Sequence, residues 1–255
     1  MNLFTHTIGD GPPLIIIHGL FGSSDNWMTH ARVFASGHRV TVIDLRNHGR
    51  SPHADGLFDF DVMASDVFDT LAAEGLRGVT ILGHSLGGKV ALRFAQLNEF
   101  LVDKLIIADI GVRQYKPHHQ HIFDTLLPID LSGFTSRGQV EELVSAGVGD
   151  PVTTQFIMKS LYWKEQGKLA WRFNVRALAA NIANMTAAIP NSPQIQVPSL
   201  FIRGEKSDYI RSEDWPEIQS LVPDAELVTI PAAGHWVHAD SPALFQQTVL
   251  DFIQN

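Results

Sequence analysis

The sequence predicts an α/β protein, a mostly parallel sheet with helices on both faces and a helical cap inserted after the strand ending at Asp109. Three observations carry that expectation. Short β-branched runs alternate with segments of helical spacing, the pattern of a parallel sheet covered on both sides. The alternation stops between Gly111 and about Pro198, where helical patterns continue without a convincing strand. Finally, Gly83-His84-Ser85-Leu86-Gly87 closes a strand-like run and opens a helix-like one.

Taken in order, the first ten residues are expected to add an antiparallel edge strand, and Leu14–Ile17 is the first main strand. Ser24 caps a helix carrying Trp27, Ala31 and Phe34, which Gly37 ends. Val40–Ile43 is the next strand, and Asp61 begins a helix with Val67 and Leu71 on one face. Val79–Leu82 leads into the serine pentapeptide, and Lys104–Ala108 follows. In the interrupted stretch, Asp150-Pro151 opens a helix over Thr153–Leu161, and Val175, Leu178, Ile182 and Met185 recur at helical spacing. Such a length is too great for a structureless loop, which rarely exceeds ~15 residues. Residues 111–189 are therefore expected to form the cap, on a core made of 1–110 and 190–255. Ser199–Ile202 and Leu227–Ile230 complete the sheet, and Ser241-Pro242 opens the helix that runs to the C-terminus.

Composition narrows the function classes. The 255 residues suffice for a sizeable core, and 45% apolar with 18% charged residues is ordinary for a soluble globular protein. A net charge of −8 without a basic run makes nucleic acid an unexpected partner. The absence of cysteine excludes disulfides, thiolate metal sites and a cysteine nucleophile. Met1 to His6 lack the charged and apolar regions of a signal peptide, and the apolar runs are too short to span a bilayer, so a cytoplasmic location is expected. No ligand set stands at zinc spacing, and no glycine-rich phosphate loop follows a strand, so no metal and no cofactor are expected. The oligomeric state is left open.

A serine at a sharp strand-to-helix turn is held out at the carboxyl edge of the sheet, where it serves as a nucleophile if a base reaches it. His235 follows the last strand on the same edge and is the candidate base; His238, three residues on, reads as structural. The base needs an orienting acid, and two are available. Asp208 follows the penultimate strand and is marginally favoured, while Asp109 ends the strand after Ser85. The backbone amides of Leu86, at the nucleophile helix start, and of Leu20, in the loop His18-Gly19-Leu20-Phe21-Gly22, are the candidate oxyanion donors. His18 is expected to brace that loop. Phe21, His84, Trp163, Trp171 and Trp236 are the candidate substrate contacts, although the aromatics of the cap, Tyr162, Trp163, Trp171 and Phe173, read first as its own core.

These motifs together resemble the α/β-hydrolase superfamily: His18-Gly19 with Gly22, Asp44-x-Arg46-x-His48-Gly49-x-Ser51, Gly83-His84-Ser85-Leu86-Gly87-Gly88, Asp208 and Gly234-His235. A nearer resemblance is to YbfF-like and ABHD11-like serine esterases. It is carried by His18 through Ser23, Asn47-His48-Gly49, Gly87-Gly88-Lys89, Trp171-Arg172-Phe173-Asn174 and Gly234 through His238. The resemblance implies hydrolysis of small-molecule carboxylic esters, with acyl thioesters such as acyl-CoA as further substrates. Some relatives lack an acid at the position of Asp208 and look as though they use the aspartate matching Asp109. Dehalogenases and epoxide hydrolases of the fold place an aspartate where Ser85 stands, which disfavours both activities. Two other readings remain beside the esterase. One is a same-fold lyase of the menaquinone-precursor type, for which Arg113, Lys116, Arg172 and Arg176 would have to grip a polyanion. The other is a ligand-binding receptor or signalling protein with weak catalysis.

Overall fold

Leu14, Ile15, Ile16 and Ile17 are all fully buried, as expected of a strand covered on both faces. Alternation sends Leu14 and Ile16 into one apolar layer with Trp27, Phe34 and Phe245. Ile15 and Ile17 enter the opposite layer with Met63, Val67 and Phe94. This strand, β2 (Pro13–Ile17), lies inside a seven-stranded sheet in a computed structural model that describes residues 1–117, 119–165 and 167–254. β1 (Thr5–Ile8) pairs antiparallel with β3 (Arg39–Ile43) at one edge. The remaining strands, β4 (Val79–His84), β5 (Val102–Ala108), β8 (Ser199–Gly204) and β9 (Ala225–Ile230), are parallel to β2 and β3. Across the sheet the order is β1-β3-β2-β4-β5-β8-β9.

Helices cover both faces. α1 (Met28–Phe34) follows a 3-10 turn at Ser24–Trp27, so the helix expected from Ser24 starts one turn later. α2 (Phe60–Ala73) is capped by the Asp59 carboxylate, which accepts from the Val62 amide at 3.0 Å. α3 (Leu86–Asn98) runs from the serine turn and packs on α2. The final helix, α11 (Pro242–Gln254), starts at Pro242 as its proline-first pattern predicts.

Between β5 and β8 the chain leaves the sheet. It forms α4 (Gln120–Leu126), α5 (Arg137–Val148) and α6 (Pro151–Met158), then β6 (Leu161–Glu165) and β7 (Lys168–Trp171), then α7 (Val175–Ala180) and α8 (Ile182–Met185). The α6 start is built as its sequence implies, with the Asp150 carboxylate accepting from the Thr153 amide at 2.7 Å and Pro151 in the first turn. One expectation is corrected here. The segment is not free of strands: β6 and β7 pair antiparallel, with Leu161 opposite Trp171 and Trp163 opposite Leu169. Tyr162, Trp163 and Trp171 are good strand formers, and a two-stranded ribbon lets one face rest on the helices while the other meets solvent. Two short helices complete the core-side cover, α9 (Trp215–Leu221) after β8 and α10 (Val237–Asp240) after β9. Among the described residues no helix is long and apolar enough to cross a membrane.

Candidate active site

Ser85 is the residue between β4 and α3, and it adopts φ 53°, ψ −120°. A non-glycine residue at positive φ costs roughly 1–3 kcal/mol and persists only where its surroundings enforce it. Here the Ser85 amide donates to the Ala108 carbonyl at 3.0 Å, and the glycines on either side remove the clashes that would open the turn. A Cβ on Gly83 would strike the Gly87 carbonyl, and one on Gly87 would strike the carbonyls of Ile17 and His18. The hydroxyl is thereby raised at the carboxyl edge of the sheet.

Two other chain segments reach it. His235, five residues after β9, brings its Nε2 to 3.0 Å from Ser85 Oγ. Its Nδ1 lies 2.8 Å from Asp109 Oδ2. Asp109 follows directly on β5, is fully buried, and holds a second positive φ of 49°. Its carboxylate is aimed by the Gly204 amide, which donates to Oδ1 at 2.9 Å, and by the Ser207 hydroxyl, which donates to Oδ2. Asp208, the acid marginally favoured from the sequence, is not the partner. Its side chain is exposed, and its backbone carbonyl accepts from Arg113 at 3.1 Å. The loop after β8 spends Ser207 on Asp109 and turns the next side chain outward.

The imidazole of His235 is further fixed by Tyr209, whose ring stacks on it at 3.9 Å and 18°. Tyr209 is held in turn by Tyr115, whose hydroxyl donates to the Tyr209 carbonyl at 2.6 Å and accepts from the Gly111 amide at 2.7 Å. His84 is a wall of the site rather than a ligand-facing donor. Its Nε2 donates to the His235 carbonyl at 2.9 Å, which secures the backbone of the imidazole. Burial, then the neighbouring His235, push the His84 pKa down to about 3, so it is neutral. His238 is buried and stacks on Trp27 at 4.3 Å, in keeping with a structural role.

His18 braces the loop before Gly22 from both ring nitrogens. Nδ1 donates to the Gly19 carbonyl at 2.7 Å, and Nε2 accepts from the Leu45 amide at 3.0 Å. That pairing requires the neutral ring, and burial lowers the His18 pKa to about 4. Leu20 borders two cavities that meet at Ser85, and Leu86 borders the smaller. Neither of their amides is spent on a turn, loop or cap hydrogen bond among the described residues. Leu86 also opens α3, where the helix dipole favours negative charge.

The larger cavity, about 240 Å³, is walled by Phe21, Trp27, Ile122, Val148, Phe156 and Trp236, with Ser85 and His235 at its floor. Phe21 packs against Phe123 and Phe173 at 5.2 and 5.1 Å. Trp236 packs on Phe156 at 5.7 Å. The two tryptophans of the ribbon do not line it. Trp163 is 44% exposed, and Trp171 stacks on Phe173 at 5.5 Å and 10°. Both sit in the β6–β7 ribbon, a setting that helical spacing could not foresee. Tyr209, Ser207 and Phe156 belong to the site but carry no motif that marks them in the sequence.

A family model described as "alpha/beta hydrolase fold" matches residues 12–242. The chain is 35% identical over 254 residues to a Danio rerio protein named sn-1-specific diacylglycerol lipase ABHD11, covering 96% of this chain and 80% of that relative. It is 33% identical over 231 residues to the protein named Esterase YbfF of Escherichia coli K12, covering 90% of this chain and 88% of the relative. Among solved structures, one titled "Marine microorganism esterase" superposes with a TM-score of 0.95 at 40% identity, covering 98% of this chain and 99% of that one.

Proposed function

The chain belongs to the alpha/beta hydrolase fold family, and from that premise we propose that it is a serine carboxylic ester hydrolase acting through an acyl-enzyme on Ser85. The observation that carries this reading is the continuous contact from Ser85 Oγ to His235 Nε2 at 3.0 Å and from His235 Nδ1 to Asp109 Oδ2 at 2.8 Å. The names of the relatives, an esterase and a lipase, point the same way.

In the reaction, His235 takes the Ser85 proton as the oxygen attacks the ester carbonyl. Asp109 keeps the imidazole in the tautomer that presents a free Nε2 and stabilises the cation that forms. The Leu20 and Leu86 amides receive the negative charge on the carbonyl oxygen, each donor being worth roughly 3 kcal/mol of barrier. His235 then returns the proton to the departing alcohol. Water, deprotonated by the same nitrogen, releases the acid and restores Ser85. Segment 111–189 serves as the cap, with residues 1–110 and 190–255 as the catalytic core. Thioesters expose the same electrophilic carbonyl and form the second substrate class.

The lyase reading is disfavoured by the surroundings. Arg113 is engaged with Asp214 at 3.1 Å, and Arg172 lies over Tyr162. No Lys or Arg is among the described residues that line the larger cavity, which suits a neutral ester better than a polyanion. The test is turnover of p-nitrophenyl acetate by wild type and Ser85→Ala. The variant is expected to fold and to lose at least about a thousandfold in kcat; comparable turnover in both proteins would overturn the reading.

A further inference from the structure

Two cavities meet at Ser85, and they differ in size and in access to the general base. The larger is bordered by His235 and Trp236. The smaller, about 30 Å³, is bordered by Leu86, Lys89, Ile110, Ile182 and Met185, and not by His235. We propose that the enzyme is selective for short acyl groups, with the acyl chain entering the small pocket under Met185 and the alcohol occupying the larger cavity. This inference rests on the acyl-enzyme reading above.

The assignment follows from where the proton must go. The leaving oxygen is protonated by His235 Nε2, so the alcohol lies on the His235 side of the tetrahedral carbon. The acyl chain then extends to the opposite side, past Leu86 and toward Ile110 and Met185. A cavity that holds a single water needs roughly 10–15 Å³, so the small pocket takes about two groups of that size. An acetyl or propionyl chain fits; a longer chain has to displace the wall.

That wall is stiff. Ile110, Ile182 and Met185 are each under 9% exposed. Behind them the Lys89 ammonium donates to the carbonyls of Val112 at 3.2 Å, Arg113 at 2.5 Å and Ala187 at 2.6 Å. It thereby ties the chain entering the inserted segment to the chain leaving it. Thr186 adds a hydroxyl bond to the Ile182 carbonyl at 2.9 Å. A swing of α8 away from Ser85 would pull the Ala187 carbonyl off the Lys89 ammonium in a buried setting, where an unpaired carbonyl is costly. Met185, on the last turn of α8, is the specificity-determining residue of this arrangement.

The experiment varies the two halves of the ester separately. One series holds p-nitrophenol and lengthens the acyl chain from acetyl to octanoyl; the other holds acetyl and lengthens a linear alcohol over the same range. The expected result is a fall of at least about tenfold in kcat/KM along the acyl series, with no fall along the alcohol series. Met185→Ala, and the milder Ile182→Val should the first fail to fold, are expected to raise the octanoyl-to-acetyl ratio severalfold. Hydrolysis that is flat or rises with acyl length overturns the assignment, as does a fall confined to the alcohol series or an unmoved ratio in a folded variant. Absence of turnover on every ester, by contrast, overturns the esterase reading itself, and the pocket assignment with it.

Discussion

Asp109 and His235 stand 126 residues apart in the chain, yet their Oδ2 and Nδ1 atoms lie 2.8 Å apart at the carboxyl edge of the sheet. The contact is made from the ends of β5 and β9, between which β8 supplies the Gly204 amide and the loop after it the Ser207 hydroxyl that hold the carboxylate. Asp208 lies one residue beyond this cradle and faces solvent.

Asp109→Asn is therefore expected to lower kcat by roughly 10²–10⁴, because an amide no longer selects the tautomer or balances the imidazolium. Asp208→Asn is expected to stay within about twofold of wild type. Steady-state kinetics on p-nitrophenyl acetate decide between them, and the reverse ranking would restore Asp208 as the acid.

Tyr209 stacks on His235 at 3.9 Å, and that face contact limits how the ring can rotate. Tyr209→Ala is expected to reduce kcat by about tenfold with a smaller change in KM, while Tyr209→Phe retains most activity because the ring is what makes the contact. Equal losses in both variants would mean that the hydroxyl, not the stack, is what matters.

Lys89 shares three backbone carbonyls between residues 112–113 and 187. Lys89→Met is expected to destabilise the fold by roughly 2–4 kcal/mol, since acceptors buried without a donor cost about 1–3 kcal/mol each and partial relaxation recovers some of it. A urea midpoint unchanged from wild type would show that water or neighbouring amides replace the ammonium at no cost.

Acid should weaken the protein before its carboxylates titrate. Burial lowers the pKa of His18 and His30 to about 4 and of His48 and His84 to about 3, against 6.5 for the free imidazole. Between those values the unfolded chain binds protons that the folded one does not. Stability is thus fully present above pH 6.5 and is lost as pH falls toward 4, at up to ~1.4 kcal/mol per pH unit for each such ring. Urea midpoints measured at pH 7.5, 6 and 5 should fall steadily; a constant midpoint would contradict the buried neutral histidines.

Much of this arrangement was legible in the chain. The six main strands follow from short β-branched runs, and Ser85 and His235 follow from their places after β4 and β9. What was not legible depends on three-dimensional choices. Asp109 and Asp208 both sit on the active edge, and only the course of the loop after β8 decides which carboxylate faces inward. The β6–β7 ribbon was hidden because its aromatic residues read as well for a helical core as for a strand; two short aromatic runs flanking Gly167, which has φ 79°, were the available sign. Lys89 enters the sequence reading only as part of Gly87-Gly88-Lys89, and nothing local indicates that its ammonium is buried against three carbonyls.

The most direct measurement is to trap the reaction itself. Wild type is mixed with p-nitrophenyl acetate, quenched in acid during the first turnovers, digested and mapped by mass spectrometry. An acetyl group on the peptide bearing Ser85, absent from Ser85→Ala, is the predicted result. Acetylation at another residue on the turnover timescale, or full hydrolytic activity in Ser85→Ala, would contradict the account.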